Sequence, residues 1–188
     1  MAKLYFRYGS MGSSKTANAL MVKYNYEEKG QRVCLIKPEI DTRDRGSLIK
    51  SRIGIESESY MLLKDQNVLE IVLYCNPDCV IIDEAQFLSR NQVVGLCYIV
   101  DTYDIPVICY GLRADFAGQL FSGSQALFAL ADSIEEIKTI CFCGKKAIMN
   151  MRLEDGEPVF EGDQVKIGGN ELYVSVCRNH WKLGKYKF

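Results

Sequence analysis

The chain of 188 residues carries 23 basic against 24 acidic side chains, a net charge of −1, and no local basic run, which argues against nucleic acid as a partner. No stretch approaches the ~18 consecutive apolar residues of a membrane span, and the opening MAKLYFRYGS lacks the apolar segment of a signal peptide, so a soluble cytoplasmic protein is expected. In such a reducing compartment the eight cysteines read as core thiols or metal ligands rather than disulfides.

Residues 3–8 read as a strand, and residues 15–29, with Ala17, Ala19, Leu20, Met21 and Tyr24 along it, as a helix ended by Gly30. Val33 to Ile36 form a second buried strand. The polar, Arg-rich stretch EIDTRDRGSLIKSRIG that follows has the composition of a mobile surface loop. A weak helix is expected over about 62–74, and Cys79 to Ile82 is a continuous apolar run of the kind found in a parallel strand covered on both faces. A helix over 89–101, a strand from Pro106 to Tyr110, a helix around 122–131 and a last strand from Glu136 to Cys141 continue the alternation. Strands alternating with helices predict an α/β fold, a parallel sheet covered by helices. Beyond Cys141 short apolar pieces are broken by Gly156, Pro158, Gly162, Gly168 and Gly169, the texture of a small β-rich module. The expected division is a nucleotide-binding unit over 1–136 and a zinc-binding unit over 137–188.

Between the first strand and the first helix lies GSMGSSKT: Gly9, Ser10, Met11, Gly12, Ser13, Ser14, Lys15 and Thr16. In a phosphate-binding loop at this place, backbone N–H groups and the helix N-terminus face the phosphates. Lys15 reaches the β/γ-phosphates and Thr16 offers a hydroxyl to Mg²⁺. The pattern GxxxxGK[ST] has glycine where this chain has Ser14. If that residue takes φ > 0, a serine costs roughly 1–2 kcal/mol. Asp83 and Glu84 end the apolar strand at the sheet edge where ligands bind. There a carboxylate orients the Mg²⁺ shell, and a glutamate accepts a proton from the group that attacks the γ-phosphate. Cys141, Cys143, Cys177 and His180, spaced CxC and CxxH, suit tetrahedral Zn²⁺ with no open position, a structural site. Without metal the same four residues read as three buried thiols and a surface histidine. Cys34, Cys75, Cys79, Cys97 and Cys109 sit in or beside apolar segments and read as small core residues.

Over nearly its whole length the chain resembles the type II, cytosolic-type thymidine kinases, closest to their bacterial branch. The resemblance rests on LYFRYGSMGSSKT, KPEIDTR, DEAQFL, YGLRADFAGQLF, KTICFCGKKA and IGGNELYVSVCRNH, in family order. It implies transfer of the ATP γ-phosphoryl to the 5′-hydroxyl of thymidine or deoxyuridine, Glu84 as catalytic base, and Asp83 in the Mg²⁺ shell. Asp83, Glu84, Ala85 and Gln86 would border the ATP site. Met11, Phe87, Leu112, Phe116, Phe121, Ile167 and Tyr173 would line the nucleoside pocket, and a lasso over Val165 to Tyr173 would read the base edge through its backbone. Asp41 and Arg43, on the Arg-rich loop with Arg52, would contact phosphate or Mg²⁺. The family's zinc set falls on Cys141, Cys143, Cys177 and His180. A homotetramer and feedback inhibition by thymidine triphosphate (dTTP) are also implied. Two competing classes remain at this level: a P-loop ATPase in which Glu84 activates water, and a zinc-stapled binding module inactivated through Ser14. Thymidine-dependent consumption of ATP separates them.

Overall fold

The computed structural model describes residues 1–39, 47–166 and 172–187. In chain order the first half comprises β1 (Leu4–Tyr8), α1 (Lys15–Glu27), β2 (Val33–Pro38), β3 (Leu48–Lys50), β4 (Glu56–Glu58), β5 (Tyr60–Leu62), α2 (Val68–Cys75), β6 (Cys79–Ile82) and α3 (Arg90–Tyr103). The second half comprises β7 (Val107–Gly111), α4 (Ser122–Leu130), β8 (Ser133–Glu136), β9 (Thr139–Ile140), β10 (Lys146–Ala147), β11 (Met149–Glu154), β12 (Glu157–Val159), β13 (Tyr173–Val176) and α5 (Arg178–Lys182).

Six strands make one sheet in the order β5-β2-β6-β7-β1-β8, and every pairing in it is parallel. Because side chains alternate across a strand, each central strand feeds two cores. Phe6, Cys34, Ile36, Val80, Ile82, Val107 and Cys109 face the layer of α2, α3 and α4, where Ile71, Val72, Leu96, Ile99 and Leu127 meet them. Leu35, Cys79, Ile81, Ile108 and Tyr110 face α1, against Ala19 and Leu20. Tyr110 is wholly buried, and its hydroxyl donates to Asn18 Oδ1 at 2.9 Å while accepting from Arg7, which ties α1 to β7 behind the loop between β1 and α1. The helix starts have local causes. Ser89 and Gln92 form a reciprocal capping box on α3, and the Asn67 side chain accepts the Leu69 N–H at the start of α2.

The remaining strands form smaller antiparallel sheets: a β3-β4 pair, a β9-β10 hairpin and a β12-β11-β13 sheet. Met149, Met151 and Leu153 share one face of β11 and pack with Ala147, Val176, Cys141 and Cys177 into a separate small core.

Three expectations on elements are corrected. The stretch expected to be a surface loop contains β3, which pairs antiparallel with β4 just beyond it and buries Ile49 against the α1-side core. The helix expected over 62–74 is confined to Val68–Cys75; Tyr60–Leu62 pairs instead with the end of β2, burying Leu62 at the sheet edge. The last strand of the main sheet is Ser133–Glu136, alongside β1, rather than Glu136 to Cys141. Thr139–Ile140 pairs with β10 instead, because the turn that brings Cys141 to Cys143 folds the chain back there.

Candidate active site

The turn from β1 to α1 is built for close backbone approach. A Cβ on Gly9 would stand 2.5 Å from the Ile137 carbonyl oxygen, and Gly12 takes φ +72°. Ser14 occupies the left-handed region at φ 61°, ψ 27°, caps no N–H with its side chain, and precedes α1 directly. The sequence pattern wanted glycine there, and the backbone conformation is the reason. Lys15 is buried and curls back over the loop, donating from Nζ to the Ser10 carbonyl at 2.9 Å and to Ser13 Oγ at 3.4 Å. The Thr16 hydroxyl donates to Asp83 Oδ2 at 2.8 Å.

Asp83 continues the register of β6, its N–H bonded to the Ile36 carbonyl. Its carboxyl is buried, and desolvation together with the adjacent Glu84 charge pushes its pKa up to about 7. The buried carboxyl and the hydroxyl are hard oxygen donors, a chemistry that fits Mg²⁺. Glu84 has a left-handed backbone, φ 53°, which turns the chain from the strand into a 3₁₀ turn over Ala85–Phe87. Its Oε2 accepts from Gln86 Nε2 at 2.6 Å, and Gln86 Oε1 in turn accepts the Leu112 N–H at 2.9 Å, so the carboxylate is oriented from the neighbouring strand end.

A cavity of about 280 Å³ opens between these groups. Its wall includes Met11, Gly12, Ser14, Lys15 and Thr16 from the loop and α1, Asp83, Glu84 and Gln86 from beyond β6, and Phe87, Leu112, Phe116, Phe121 and Tyr173. Phe87 and Phe121 meet edge to face, with ring centroids 5.7 Å apart. Of the residues expected from sequence, Gly9, Ser10 and Ser13 belong to the loop but do not line the cavity, and Ala85 packs into the main core. Ile167, Asp41, Arg43 and the Gly168–Gly169 pair lie outside the described residues. Arg52 reaches the cavity from beyond β3, its Nη1 3.3 Å from where a Cβ on Gly12 would be.

Several polar residues that the sequence did not single out hold this site together. Asn150, 5% exposed, accepts the Met11 N–H at 2.8 Å and donates to the Ala114 carbonyl at 3.0 Å. Ser175 Oγ donates to the Met11 carbonyl, and Ser10 Oγ donates to the Ala147 carbonyl at 3.3 Å. The phosphate-type loop is thus fastened to β10, β11 and β13. Asp115 accepts from the Ala117 and Gln119 N–H groups and from Gln164 Nε2. Lys37, 2% exposed, lines the cavity and donates to the Leu48 carbonyl. The one available signal was the alternation in MNMRLE. Its apolar face builds the small core, and its polar face, Asn150 and Arg152, is buried against the main sheet's loops rather than solvated.

The ligand atoms of Cys141, Cys143, Cys177 and His180 all lie within 4.8 Å of one another. His180 Nδ1 is 3.4 Å from both the Cys141 and the Cys177 sulfurs, and the Cys143 and Cys177 sulfurs are 4.0 Å apart. Zn–S and Zn–N bonds of about 2.3 and 2.0 Å at tetrahedral angles require separations of about 3.5–3.8 Å, so the set is compatible with structural zinc. Gly144, at φ +80°, closes the turn with an N–H to the Cys141 carbonyl. Cys177 caps α5, where the His180 N–H lowers the thiol's pKa. Phe142 stacks on the His180 ring at 4.4 Å.

A strand–loop–helix cradle at the carboxyl edge of a parallel sheet, walling one cavity together with two strand-end acids and aromatic side chains, defines a P-loop nucleotide-binding protein. The model of the family described as thymidine kinase matches residues 2–181, and the chain belongs to that family. Thymidine kinases of Streptococcus thermophilus (strain CNRZ 1066) and Lactiplantibacillus plantarum are each 52% identical to it over 184 residues, covering 96% of this chain and 94% and 96% of theirs. That of Streptococcus agalactiae (strain A909) is 48% identical, with 96% and 97% covered. A solved structure described as a DNA replication initiation factor superposes with a TM-score of 0.40 at 14% identity over 72% of this chain and 40% of that one, too distant to bear on function.

Proposed function

We propose that the chain transfers the γ-phosphoryl group of ATP to the 5′-hydroxyl of thymidine or deoxyuridine. The observation that carries this is that one cavity is walled together by the phosphate-type loop, by aromatic side chains and by the Asp83–Glu84 pair. Family membership and relatives of matching length that carry the name thymidine kinase support the substrate.

The residues divide the work by chemistry. The loop amides and Lys15 bind the phosphates; Lys15 exchanges its bonds to Ser10 and Ser13 for phosphate oxygens as ATP enters. Thr16 and Asp83 would hold Mg²⁺, which when bound neutralises charge on the transferring phosphoryl group. Phe87, Phe116, Phe121 and Tyr173, with Met11 and Leu112, sandwich the base and exclude water, a competing nucleophile. Glu84, oriented by Gln86, takes the proton from the 5′-hydroxyl as its oxygen bonds to the γ-phosphorus and the bond to the ADP oxygen breaks. The segment Val165 to Tyr173 serves as the lasso that reads the base edge.

The same reading includes a nucleotide-binding unit over 1–136 and a zinc-stabilised unit over 137–188. It also includes feedback inhibition by dTTP, which a cavity walled by both the phosphate-type loop and aromatic side chains supports. Apolar side chains left exposed on α1, α2 and α3, such as Met21, Leu73 and Tyr98, support a homotetramer. No helix among the described residues is long and apolar enough to cross a membrane, in keeping with work in the cytoplasm. The test is label transfer from [γ-³²P]ATP with and without thymidine. Label in thymidine monophosphate is expected. Release of inorganic phosphate alone, or no turnover by zinc-loaded protein with Mg²⁺, overturns the assignment.

A further inference from the structure

Arg152 lies on the central strand β11, opposite Val159 on one side and Tyr173 on the other, and is 3% exposed. Its guanidinium lies over the Phe116 ring, 4.3 Å from the centroid, and 5.9 Å from that of Tyr173. Nη1 donates to the Asp163 carbonyl at 2.9 Å. Nε has no hydrogen-bond partner among the described residues, and Glu154 Oε1 stands 3.9 Å from it. A buried guanidinium with one N–H unspent is a poor way to fill a β-sheet face, since an apolar side chain of similar volume avoids the desolvation. What the cation does achieve is geometric. It braces two separate walls of the cavity from behind: the Phe116 ring, and the segment after Asp163 in which Gln164, Val165 and Lys166 line the same space. Arg152 itself does not line that space. The Phe116 backbone is held independently, its carbonyl accepting from Trp181 Nε1 at 2.8 Å, so the guanidinium governs the ring rather than the chain.

We propose that Arg152 is a positioning residue for the nucleoside acceptor. Through its stack on Phe116 and its bond to Asp163, it sets the gap between the two walls to the thickness of a planar pyrimidine. It thereby governs affinity for the nucleoside and leaves ATP affinity alone. The inference rests on the thymidine kinase activity proposed above. It adds to that activity a determinant outside the cavity, which acts through the residues that touch the base.

Steady-state kinetics of wild type, Arg152→Met and Arg152→Lys, each checked for stoichiometric zinc and a cooperative melt, test it. Losing the cation–π stack and the charged hydrogen bond in Arg152→Met is expected to raise the thymidine KM about tenfold or more, with the ATP KM and kcat within about twofold. Arg152→Lys keeps the charge but has no plane to stack, so its thymidine KM is expected to rise by a smaller factor, about threefold or more. If Arg152→Met fails to fold, Arg152→Lys decides alone. A thymidine KM in folded Arg152→Lys within twofold of wild type overturns the proposal, as does an ATP KM that rises in step with that for thymidine. A wild-type protein that phosphorylates no thymidine removes the kinase activity itself, and the proposal with it, whereas an active wild type with unaffected variants removes only the role of Arg152.

Discussion

Ser14 holds a left-handed backbone at φ 61°, ψ 27° that L-residues avoid because Cβ crowds the following carbonyl. That conformation costs a residue other than glycine roughly 1–2 kcal/mol. Ser14→Gly removes the crowding, and the greater backbone entropy of glycine in the unfolded chain takes back about 0.5–1 kcal/mol. Nothing else is lost: the serine side chain is exposed, makes no capping hydrogen bond, and the Ser14 carbonyl still accepts the Asn18 N–H. The net expectation is a gain of about 0–1.5 kcal/mol, or about 0–6 °C in Tm for a chain of this size. Calorimetry of the nucleotide-free protein measures it, with Ser14→Ala as the control that keeps Cβ and is expected to melt with the wild type. ATP affinity is expected to hold or tighten, because a relaxed residue before Lys15 leaves the loop amides where they are. A Ser14→Gly protein that melts below the wild-type temperature would falsify the strain argument and give the serine hydroxyl a structural role that its surroundings do not reveal.

Glu84→Gln keeps the shape of the side chain but cannot accept the proton, so turnover is expected to fall by about 10²–10⁴ with ATP affinity within about threefold; a retained kcat would remove Glu84 as the base. Cys177→Ser, or treatment with a chelator, is expected to release zinc and free Trp181 from the Phe116 carbonyl. Since Trp181 is the chain's one tryptophan, a red shift of its emission together with a raised thymidine KM reports the event, and stoichiometric zinc in the mutant would refute the ligand set. In the Mg²⁺-free and nucleotide-free protein, the Asp83 pKa is raised from 3.8 to about 7, so the folded state holds a proton that the unfolded chain has released. Stability from this group therefore falls as pH rises from about 4 to about 7, and the full penalty is present above that. Asp83→Asn removes it. The mutant's Tm advantage is expected to be larger at pH 8 than at pH 5, and parallel pH profiles would count against a buried, proton-binding Asp83.

Elements whose signal lies in one contiguous segment stand where the sequence places them. The phosphate-type loop declares itself because Gly9, Gly12, Lys15 and Thr16 must sit between a strand and a helix whatever else the chain does. The apolar run Cys79 to Ile82 is a strand buried on both faces because its four residues are apolar without alternation. The CxC and CxxH pairs carry their chemistry in their spacing, and the fold had only to bring the two pairs within 4.8 Å. Short edge elements were misread. Tyr60–Leu62 and Ser133–Glu136 are strands only because β2 and β1 offer them unpaired backbone, and nothing in three or four residues announces a neighbour.

Sequence by itself determined the alternating architecture, the loop between β1 and α1, the two acids that end β6 and the Cys/His set compatible with structural zinc, since each rests on spacing along the chain. Tertiary structure alone decided that Asn150 and Ser175 fasten the loop at Met11, that the Leu112 N–H at the neighbouring strand end holds Gln86 against Glu84, and that Arg152 lies buried on Phe116. In a strand that alternates apolar and polar residues, the polar face normally meets water. Only the docking of the second sheet onto the first turns that face into the inner framework of a site, and the free energy of such a contact belongs to two segments far apart in the chain, written in neither one alone.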